Sequence, residues 1–176
     1  HFSFVMPERP TLAEVLRLMR VQVKRRGVQG IVIDPWNEIE HSRTDGVSET
    51  EYISIALTEL RTFARNNRVH LWIVAHPTKL QKDKNGDYPV PTPYDVAGAA
   101  HWRNKADNSI TVWRDINDSS SRVTQVHVQK VRFKEIGKVG VAELAYNHVT
   151  GDYSQLDQAN QEIPTSYYNS PIPATF

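Results

Sequence analysis

Hydrophobic residues recur at helical spacing in two stretches of the chain. The first stretch ends near Arg26 and carries the stripe Leu12, Val15, Leu16, Met19 and Val23. Thr11 and Glu14 have the spacing of a capping box at its start. The second stretch follows Ser48 and carries the stripe Ile53, Ala56, Leu57, Leu60, Phe63 and Ala64. Both patterns predict amphipathic helices, and the second is expected to end near Asn67.

Three continuous apolar runs predict strands rather than helices. They cover residues 2–6, 31–33 and 69–75. Short runs of β-branched residues without polar alternation are typical of strands that are buried on both faces of a parallel sheet. With the two helices between the runs, the order is strand, helix, strand, helix, strand. This order predicts right-handed crossovers and a mainly parallel α/β sheet flanked by helices.

The middle of the chain begins with a segment that has no hydrophobic period. Residues 78–93 combine lysines with prolines and a glycine, and a loop of this length inside a compact domain is usually functional or disordered. A short helix is predicted over residues 95–105. It leads to a strand over residues 108–114, and the polar residues 115–121 predict a flexible turn.

The last part of the chain predicts antiparallel pairing. Strands are expected over residues 122–131 and 139–147, and a turn at Thr150 leads to a last short strand. These strands would form C-terminal hairpins added to the parallel core. The chain is polar and contains prolines beyond this point. We therefore expect one domain over residues 1–154 and an extended or disordered tail over residues 155–176.

Composition narrows the class of protein. A chain of 176 residues fits a single domain, and its net charge of +1 excludes a bulk basic surface for nucleic acid, so any such surface must be local. The basic run Lys24-Arg25-Arg26 is expected to face solvent at a helix end, with nucleic-acid contact as the alternative. The absence of cysteine excludes disulfides and thiolate metal sites. No run approaches the roughly 18 apolar residues of a membrane span, and no signal peptide is visible.

Asp34 is the first candidate for chemistry. It follows the apolar run Ile31-Val32-Ile33, and the carboxyl end of such a strand is where open α/β sheets bind ligands. In nucleotide-hydrolysing proteins this position holds the Walker B aspartate, which orients Mg²⁺ and its water around the phosphates. The alternative is an aspartate that only caps the next loop.

Four blocks of sequence together resemble one family. They are IVIDPWNEI, LWIVAHPTK, YDVAGAAHWRNKADNSITVWRD and VHVQKVRFKEIGKVGVAELAYNHVTGDY. Their order and spacing resemble the helicase domain of DnaB-family replicative helicases, with the strongest likeness to phage primase-helicases and the Twinkle type. The resemblance covers about residues 1–154. It implies a RecA-like ATPase that uses ATP or another NTP with Mg²⁺ and assembles as a homo-hexameric ring around single-stranded DNA.

The resemblance also implies roles for individual residues. Asp34 would be the Walker B acid that holds Mg²⁺ through water. His76 would report the state of the γ-phosphate to the loop behind it, although a strand end before proline is often merely polar. Arg132 would be the arginine finger of the adjacent subunit, with Lys130 as its companion. Residues two apart on a strand share a face, but two solvent-facing cations near a turn would show the same spacing.

The remaining implied residues carry weaker signals. Asn104 takes the place of a glutamine usual in the family, and is a candidate nucleotide sensor. Trp36 departs from the family pattern after Asp34, and packing is the simpler explanation for it. The loop lysines expected to meet DNA phosphates are Lys79, Lys82 and Lys84, although such a run is often only solvated.

One motif of the family is missing from the sequence. No G-x-x-x-x-G-K-[ST] occurs in the 176 residues, nor does the glutamate that follows it in the family. Because the chain opens in an apolar run without methionine, we expect the second part of a RecA-like domain, without its P-loop part and inactive alone. A primase domain or primase partner is expected, and association with a membrane is not. The cytoplasm of a bacterial or phage-infected cell is the expected compartment, and the mitochondrial matrix is compatible.

Two other classes of protein remain open at this level. The first is a non-catalytic RecA-like module for DNA binding or ring assembly, which the missing P-loop permits. The second is an unrelated α/β enzyme with a metal held by residues of several segments. Its ligands would be Asp34, Glu38, His41 and His76. No HxH or HExxH spacing supports that metal site.

Overall fold

The first half of the protein is built from two helix–strand units. The computed structural model describes residues 2–41, 46–84, 86–98, 100–115 and 122–156. Helix α1 covers Leu12–Arg26 and leads to strand β1, Gly30–Ile33. Helix α2 covers Glu49–Asn67 and leads to strand β2, His70–Ile73. Both helices therefore lie within one or two residues of the bounds that the hydrophobic periodicity predicts.

Polar side chains begin both long helices. The Thr11 hydroxyl accepts a hydrogen bond from the backbone N–H of Glu14 at 3.3 Å, and Ser48 accepts one from Glu51 at 3.2 Å. Such contacts satisfy backbone donors that have no partner within the helix. The N-cap predicted at Thr11 is thus confirmed, and Ser48 caps the second helix in the same way.

Strands β1 and β2 pair in parallel. The register places Gly30 opposite His70 and Ile33 opposite Ile73. The pairing continues past both strands, because the backbone N–H of Val74 donates to Ile33 O at 2.9 Å. Consequently the carboxyl ends of the two strands lie side by side, as the sequence predicts for parallel strands separated by a helix.

The second half forms a separate antiparallel sheet. Two short elements, a 3-10 turn over Pro93–Asp95 and helix α3 over Ala100–Lys105, precede it. Its four strands run in the order β3-β4-β5-β6. They cover Asn108–Trp113, Val123–Val131, Gly140–Tyr146 and Tyr153–Gln155. The predicted C-terminal hairpins are confirmed.

The hydrophobic core lies between the helices and one face of the parallel pair. Ile53 and Leu60 of α2 are almost fully buried, and Trp102 of α3 packs edge-on against Trp36 with ring centroids 5.3 Å apart. Helix α3 is also tied to α2 through Lys105, whose Nζ donates to Ser54 O at 2.5 Å. Trp36 is 2% exposed, so it packs in the core, in agreement with the simpler explanation.

Some sequence-based expectations are wrong. Residues 2–6 form no strand, and Phe2, Phe4 and Met6 are more than 90% exposed. The run has the composition of a strand, but no described strand pairs with it. Strands β1 and β2 are not buried on both faces, since Val32 is 62% exposed and Trp72 is 50% exposed. The helices cover one face only, and no element of the described part covers the other.

The helix predicted over residues 95–105 is shorter than expected. A 3-10 turn ends at Asp95 and α3 begins at Ala100. The predicted turn at residues 116–121 and most of the predicted tail, residues 157–176, lie outside the described residues. None of the helices in the described ranges is long and apolar enough to cross a membrane.

Candidate functional site

Asp34 lies where β1 ends, and it is exposed. The segment behind it is held against the neighbouring strand, because the backbone N–H of Trp36 donates to Val74 O at 2.7 Å. Burial of the Trp36 ring fixes the same segment to the core. The carboxylate of Asp34 is therefore presented to solvent from a rigid strand end.

His76 follows β2 at the same edge of the sheet. Its backbone N–H donates to Asn37 Oδ1 at 3.1 Å, and this contact joins the segments that follow the two strands. His76 is exposed as well. The two candidates predicted from separate strands, Asp34 and His76, are thus presented from adjacent strand ends. Asn37, which sequence reasoning did not single out, makes the connection.

The loop after His76 is closed at its base. Thr78 donates twice to the carbonyl of Asp95, from its backbone N–H at 2.6 Å and from its hydroxyl at 2.7 Å. Thr92 and Asp95 form a reciprocal capping box at the far end of the loop. The chain between these anchors is therefore a closed loop whose two ends meet close to the carboxyl end of β2.

The same loop is attached to the antiparallel sheet. The carbonyl of Pro91 accepts hydrogen bonds from Gln129 Nε2 at 2.8 Å and from Thr111 Oγ1 at 3.0 Å. These donors belong to β4 and β3. The loop is consequently in contact with both the end of β2 and the sheet that carries Lys130.

The three candidate lysines lie on this loop and are exposed: Lys79, Lys82 and Lys84. Lys82 Nζ lies 5.1 Å from the centroid of the Tyr88 ring, a distance at which a cation is attracted to the aromatic face. The ammonium groups are accessible to an anionic ligand.

Lys130 and Arg132 contact the carboxyl end of α3. Lys130 Nζ donates to Ala106 O at 2.7 Å and also to Arg103 O. Arg132 Nη2 donates to Asn104 O at 3.3 Å, and its Nη1 lies 2.9 Å from Asp107 Oδ1. Both cations therefore meet helix carbonyls and a carboxylate of their own chain, as the partial negative charge of a helix end favours.

Positive charge is concentrated around Asp107. Arg61 also approaches its Oδ1, at 3.4 Å. Burial lowers the pKa of Lys130, and the neighbouring guanidinium groups of Arg132 and Arg103 lower it further. Asp107 acts in the opposite direction, but one carboxylate does not balance these cations. The cluster is suited to receive additional negative charge.

Asn104 and Asp107 both contact Arg132. Asn104 is exposed, and it is its backbone carbonyl that accepts a hydrogen bond from Arg132. Asp107 was not among the candidates predicted from the sequence, yet it holds Arg132 by both main chain and side chain. Its position directly before a strand, with an Ala before it, gives no local signal for that contact.

The candidate residues form two groups. Asp34, His76 and the loop lysines belong to the ends of the parallel strands, whereas Lys130, Arg132 and Asn104 gather at the end of α3. Within the ranges that the structure describes, no hydrogen bond or ion pair joins the Asp34 carboxylate or the His76 imidazole to Lys130 or Arg132. The loop between Thr78 and Pro91 contacts the antiparallel sheet next to the second group, because the Pro91 carbonyl accepts hydrogen bonds from Thr111 and Gln129.

The metal-enzyme alternative is not supported. Among the described residues, no three histidine, aspartate or glutamate side chains lie close enough together to hold a metal ion. His41 instead packs between aromatic rings, with centroid distances of 5.4 Å to Trp36 and 5.0 Å to Tyr52. The residues of the hypothetical site therefore do not converge.

Comparison by sequence identifies a relative of known type. No family model matches the chain. The Twinkle homolog protein of Arabidopsis thaliana, described as chloroplastic/mitochondrial, is 42% identical to the chain over 151 residues. The match covers 85% of this chain and 21% of the relative. The chain thus spans about one fifth of the length of the relative that it matches.

Comparison by structure identifies the fold. A solved ATPase domain superposes with a TM-score of 0.67 and 20% identity, over 83% of this chain and 51% of that one. A DnaB-like replicative helicase, studied with its primase interactions, superposes with a TM-score of 0.68 and 21% identity, over 86% of this chain and 37% of that one. At these identities the structures establish the fold, which confirms the predicted RecA-like α/β class. Taken with the sequence match to the Twinkle homolog, they support a RecA-like fragment that is similar to the helicase domain of the DnaB family.

Proposed function

We propose that the chain is part of an NTP-driven replicative DNA helicase that moves along single-stranded DNA as a ring and unwinds duplex. The observation that carries the proposal is the contact between Asn37 Oδ1 and the backbone N–H of His76. It connects the segment after a strand-terminal acid to the first residue of a lysine-bearing loop. A change at the acid can thereby be transmitted to the loop.

The nucleotide side of the site would be formed around Asp34. Its solvent-facing carboxylate at a strand end fits a water-mediated Mg²⁺ ligand, because carboxylate and water oxygens are what this ion prefers. Bound Mg²⁺ would neutralise charge on the phosphates of ATP or another NTP. The 176 residues contain no P-loop motif, so the backbone cradle for those phosphates is expected from residues outside this sequence.

The DNA side would be formed by the loop between Thr78 and Pro91. His76 would sense the nucleotide state, with Asn104 as a second polar sensor. The double contact of Thr78 with the Asp95 carbonyl would pass a displacement of the strand end to the loop. Its exposed cations Lys79, Lys82 and Lys84 would meet phosphates of single-stranded DNA.

Arg132 and Lys130 would complete the nucleotide site of a neighbouring subunit. A guanidinium suits the charge of a phosphoryl-transfer transition state, and the cationic surroundings of Asp107 support such a role. This role requires an assembly, and a homo-hexameric ring is the expected one. A primase domain or a primase partner is proposed because the similar DnaB-like helicase interacts with primase.

The cell compartment is proposed from the relatives. The matched Twinkle homolog is described as chloroplastic/mitochondrial. Replication in an organelle matrix, or in the cytoplasm of a bacterial or phage-infected cell, would fit the same chemistry. The compartment would be the one that contains the genome on which the helicase acts.

A non-catalytic RecA-like module is the second candidate function. The absence of G-x-x-x-x-G-K-[ST] from the 176 residues permits it. Such a module would bind DNA or assemble rings without hydrolysing nucleotide. The two functions differ in whether the complete protein that contains this chain hydrolyses NTP in the presence of Mg²⁺ and DNA.

Subunit mixing tests the proposed function. The complete protein would be prepared as Asp34→Ala and as Arg132→Ala, and each variant should lose turnover by about 10³-fold or more. When the two variants are mixed and exchange subunits, some interfaces pair an intact nucleotide site with an intact finger. We therefore expect partial recovery of Mg²⁺-dependent NTP hydrolysis in the mixture.

The control mixes Asp34→Ala with the double variant Asp34→Ala/Arg132→Ala. Every nucleotide site then lacks the acid, so no recovery is expected. Absence of recovery in the test mixture, with exchange verified by fluorescence energy transfer between labelled subunits, contradicts action of Arg132 in trans. DNA binding without any hydrolysis by the unaltered complete protein favours the non-catalytic module.

A further inference from the structure

A second concentration of positive charge lies where β1 and β2 begin, at the end of the parallel sheet opposite Asp34 and His76. The C-terminal half of α1, the last turn of α2 and the residue that ends α2 carry six exposed cations, which we call the basic pole: Arg20, Lys24, Arg25, Arg26, Arg65 and Arg68. The whole chain has a net charge of only +1. The charge of the basic pole is therefore local and is balanced elsewhere in the molecule.

The two helix ends are neighbours in space. Each helix leads directly into one of two adjacent parallel strands. The backbone N–H of His70, the first residue of β2, donates to Gln29 O at 2.8 Å. Gln29 follows the end of α1 by three residues, and His70 follows the end of α2 at a similar distance along the chain. The cations of both helices thus border one edge, away from Asp34 and the loop.

No acidic side chain belongs to the segments that form this edge. The sequence has no aspartate or glutamate between Glu14 and Asp34, and none between Glu59 and Asp83. Cations at a helix end are ordinarily explained by the helix dipole. Arg20 lies before the last turn of α1, where the effect of the dipole has fallen off, so the dipole does not account for the whole basic pole.

Arg68 supplies an independent observation. It ends α2 in the left-handed conformation, with φ 53°, and it is the non-glycine residue with positive φ among the described residues. Helix α1 ends in the same conformation at Gly27, with φ 64°, where glycine avoids the steric cost. A guanidinium thus occupies a backbone position that favours glycine or asparagine. Side chains kept at such positions are often functional.

We propose that the basic pole is a second binding surface for single-stranded DNA, separate from the loop between Thr78 and Pro91. Guanidinium groups bind phosphates through paired hydrogen bonds, and five of the six cations are arginines. The exposed amide side chains of Gln29 and Asn66 add neutral donors to the same edge. The inference rests on the proposed function only in taking DNA as the partner.

An anionic membrane surface is the less favourable partner. Basic segments that bind membranes usually combine their cations with exposed apolar side chains that enter the lipid. In the described structure no large hydrophobic residue between Arg17 and Gly30, or between Arg61 and Leu71, is exposed. The exposed side chains of these two segments are therefore suited to phosphate contacts rather than to insertion into lipid.

Salt dependence of DNA binding tests the proposal. The complete protein would be titrated against fluorescein-labelled oligo(dT) over a series of NaCl concentrations, as the unaltered form and as Lys24→Gln/Arg25→Gln/Arg26→Gln. Each phosphate contact contributes roughly 0.7 to the slope of log K against log salt for single strands. Loss of three contacts should lower the slope by about 2.

A matched control removes three exposed cations elsewhere, Arg122→Gln/Lys134→Gln/Lys138→Gln. It changes the net charge equally and should leave the slope nearly unaltered. An equal slope for the two triple variants overturns the proposal. Loss of binding to vesicles containing phosphatidylserine, without loss of binding to oligo(dT), also overturns the proposal, because this result would identify a membrane-binding surface.

Charge-retaining substitutions separate phosphate contact from damage to the helix end. Lys24→Arg/Arg25→Lys/Arg26→Lys should keep the unaltered slope, and a loss there would contradict the proposal. The loop variant Lys82→Ala/Lys84→Ala distinguishes this surface from the proposed loop site. If the loop has no role in binding, its variant keeps the full slope while the basic-pole variant still loses about 2.

Discussion

Asp107 holds Arg132 by two separate contacts. Its Oδ1 lies 2.9 Å from Arg132 Nη1, and its backbone carbonyl accepts the N–H of Arg132 at 2.9 Å. The Arg132 side chain is 30% exposed and that of Asp107 is 49% exposed. The guanidinium therefore has a defined direction in the isolated chain, before any neighbouring subunit is present.

Asp107→Asn should lower NTP turnover of the complete protein on the order of tenfold, less than removal of Arg132 itself. The amide keeps the size of the side chain but loses the ion pair, so the guanidinium is less well positioned. Because the pair is partly exposed, unfolding free energy should change by only about 1 kcal/mol or less. Steady-state kinetics with urea unfolding measures both effects.

The exposed turn residue Asp152 provides the control for this prediction. Asp152→Asn removes the same charge outside the cluster and should leave turnover unaltered. Equal turnover in Asp107→Asn and the unaltered protein would show that Arg132 does not depend on this carboxylate for its position.

Asn37→Ala should reduce stimulation of NTP hydrolysis by DNA while leaving basal hydrolysis nearly unaltered. The substitution removes the acceptor that holds the backbone N–H of His76 at 3.1 Å. His76→Ala should have the same effect, because it removes the proposed sensor itself. Turnover measured with and without single-stranded DNA gives the stimulation factor.

Asn37→Asp keeps an acceptor oxygen and serves as the conservative control. It should retain most of the stimulation that Asn37→Ala loses. Full stimulation in both Asn37→Ala and His76→Ala would contradict transmission through this contact.

Lys82→Ala/Lys84→Ala should weaken binding of single-stranded DNA and flatten its salt dependence. Two lost phosphate contacts correspond to a decrease of about 1.4 in the slope of log K against log salt. Lys134→Ala/Lys138→Ala removes two exposed lysines from a different turn and is the matched control. If both pairs give the same slope in anisotropy titrations, the DNA path does not include the loop.

Gly98→Ala should destabilise the fold by about 2–4 kcal/mol. A Cβ at this position would lie 2.9 Å from both Ile53 Cδ1 and Cγ2, and Gly98 has φ +81°. The substitution therefore combines overpacking against a fully buried side chain with an unfavourable backbone conformation. Urea unfolding of the variant measures the change in free energy.

Gly151→Ala isolates the backbone contribution, since Gly151 has φ +77° and an added Cβ there would meet no described atom within 4 Å. It should cost about 1–2 kcal/mol. Combining Gly98→Ala with Ile53→Ala should give less destabilisation than the sum of the two single variants. Strict additivity would show that the contact with Ile53 is relieved by movement of the backbone.

The local parts of the fold are determined by the sequence itself. The bounds of α1 and α2 follow from apolar residues spaced by three and four and from the caps Thr11 and Ser48. These signals act within about one or two turns of helix, so they can be recognised from a single segment of the sequence. The placement of Asp34 and His76 at neighbouring strand ends follows in the same way, from two apolar runs separated by a helix.

The partners of residues distant along the chain were decided only by the tertiary structure. Residues 2–6 have the composition of a strand, but pairing needs a second strand that local sequence does not specify, and the described structure provides none for them. The contact of Asn37 with His76 spans 39 residues, and that of Arg132 with the Asn104 carbonyl spans 28. Hydrogen bonds of this kind depend on how separate elements pack, and this packing cannot be predicted from the residue types alone.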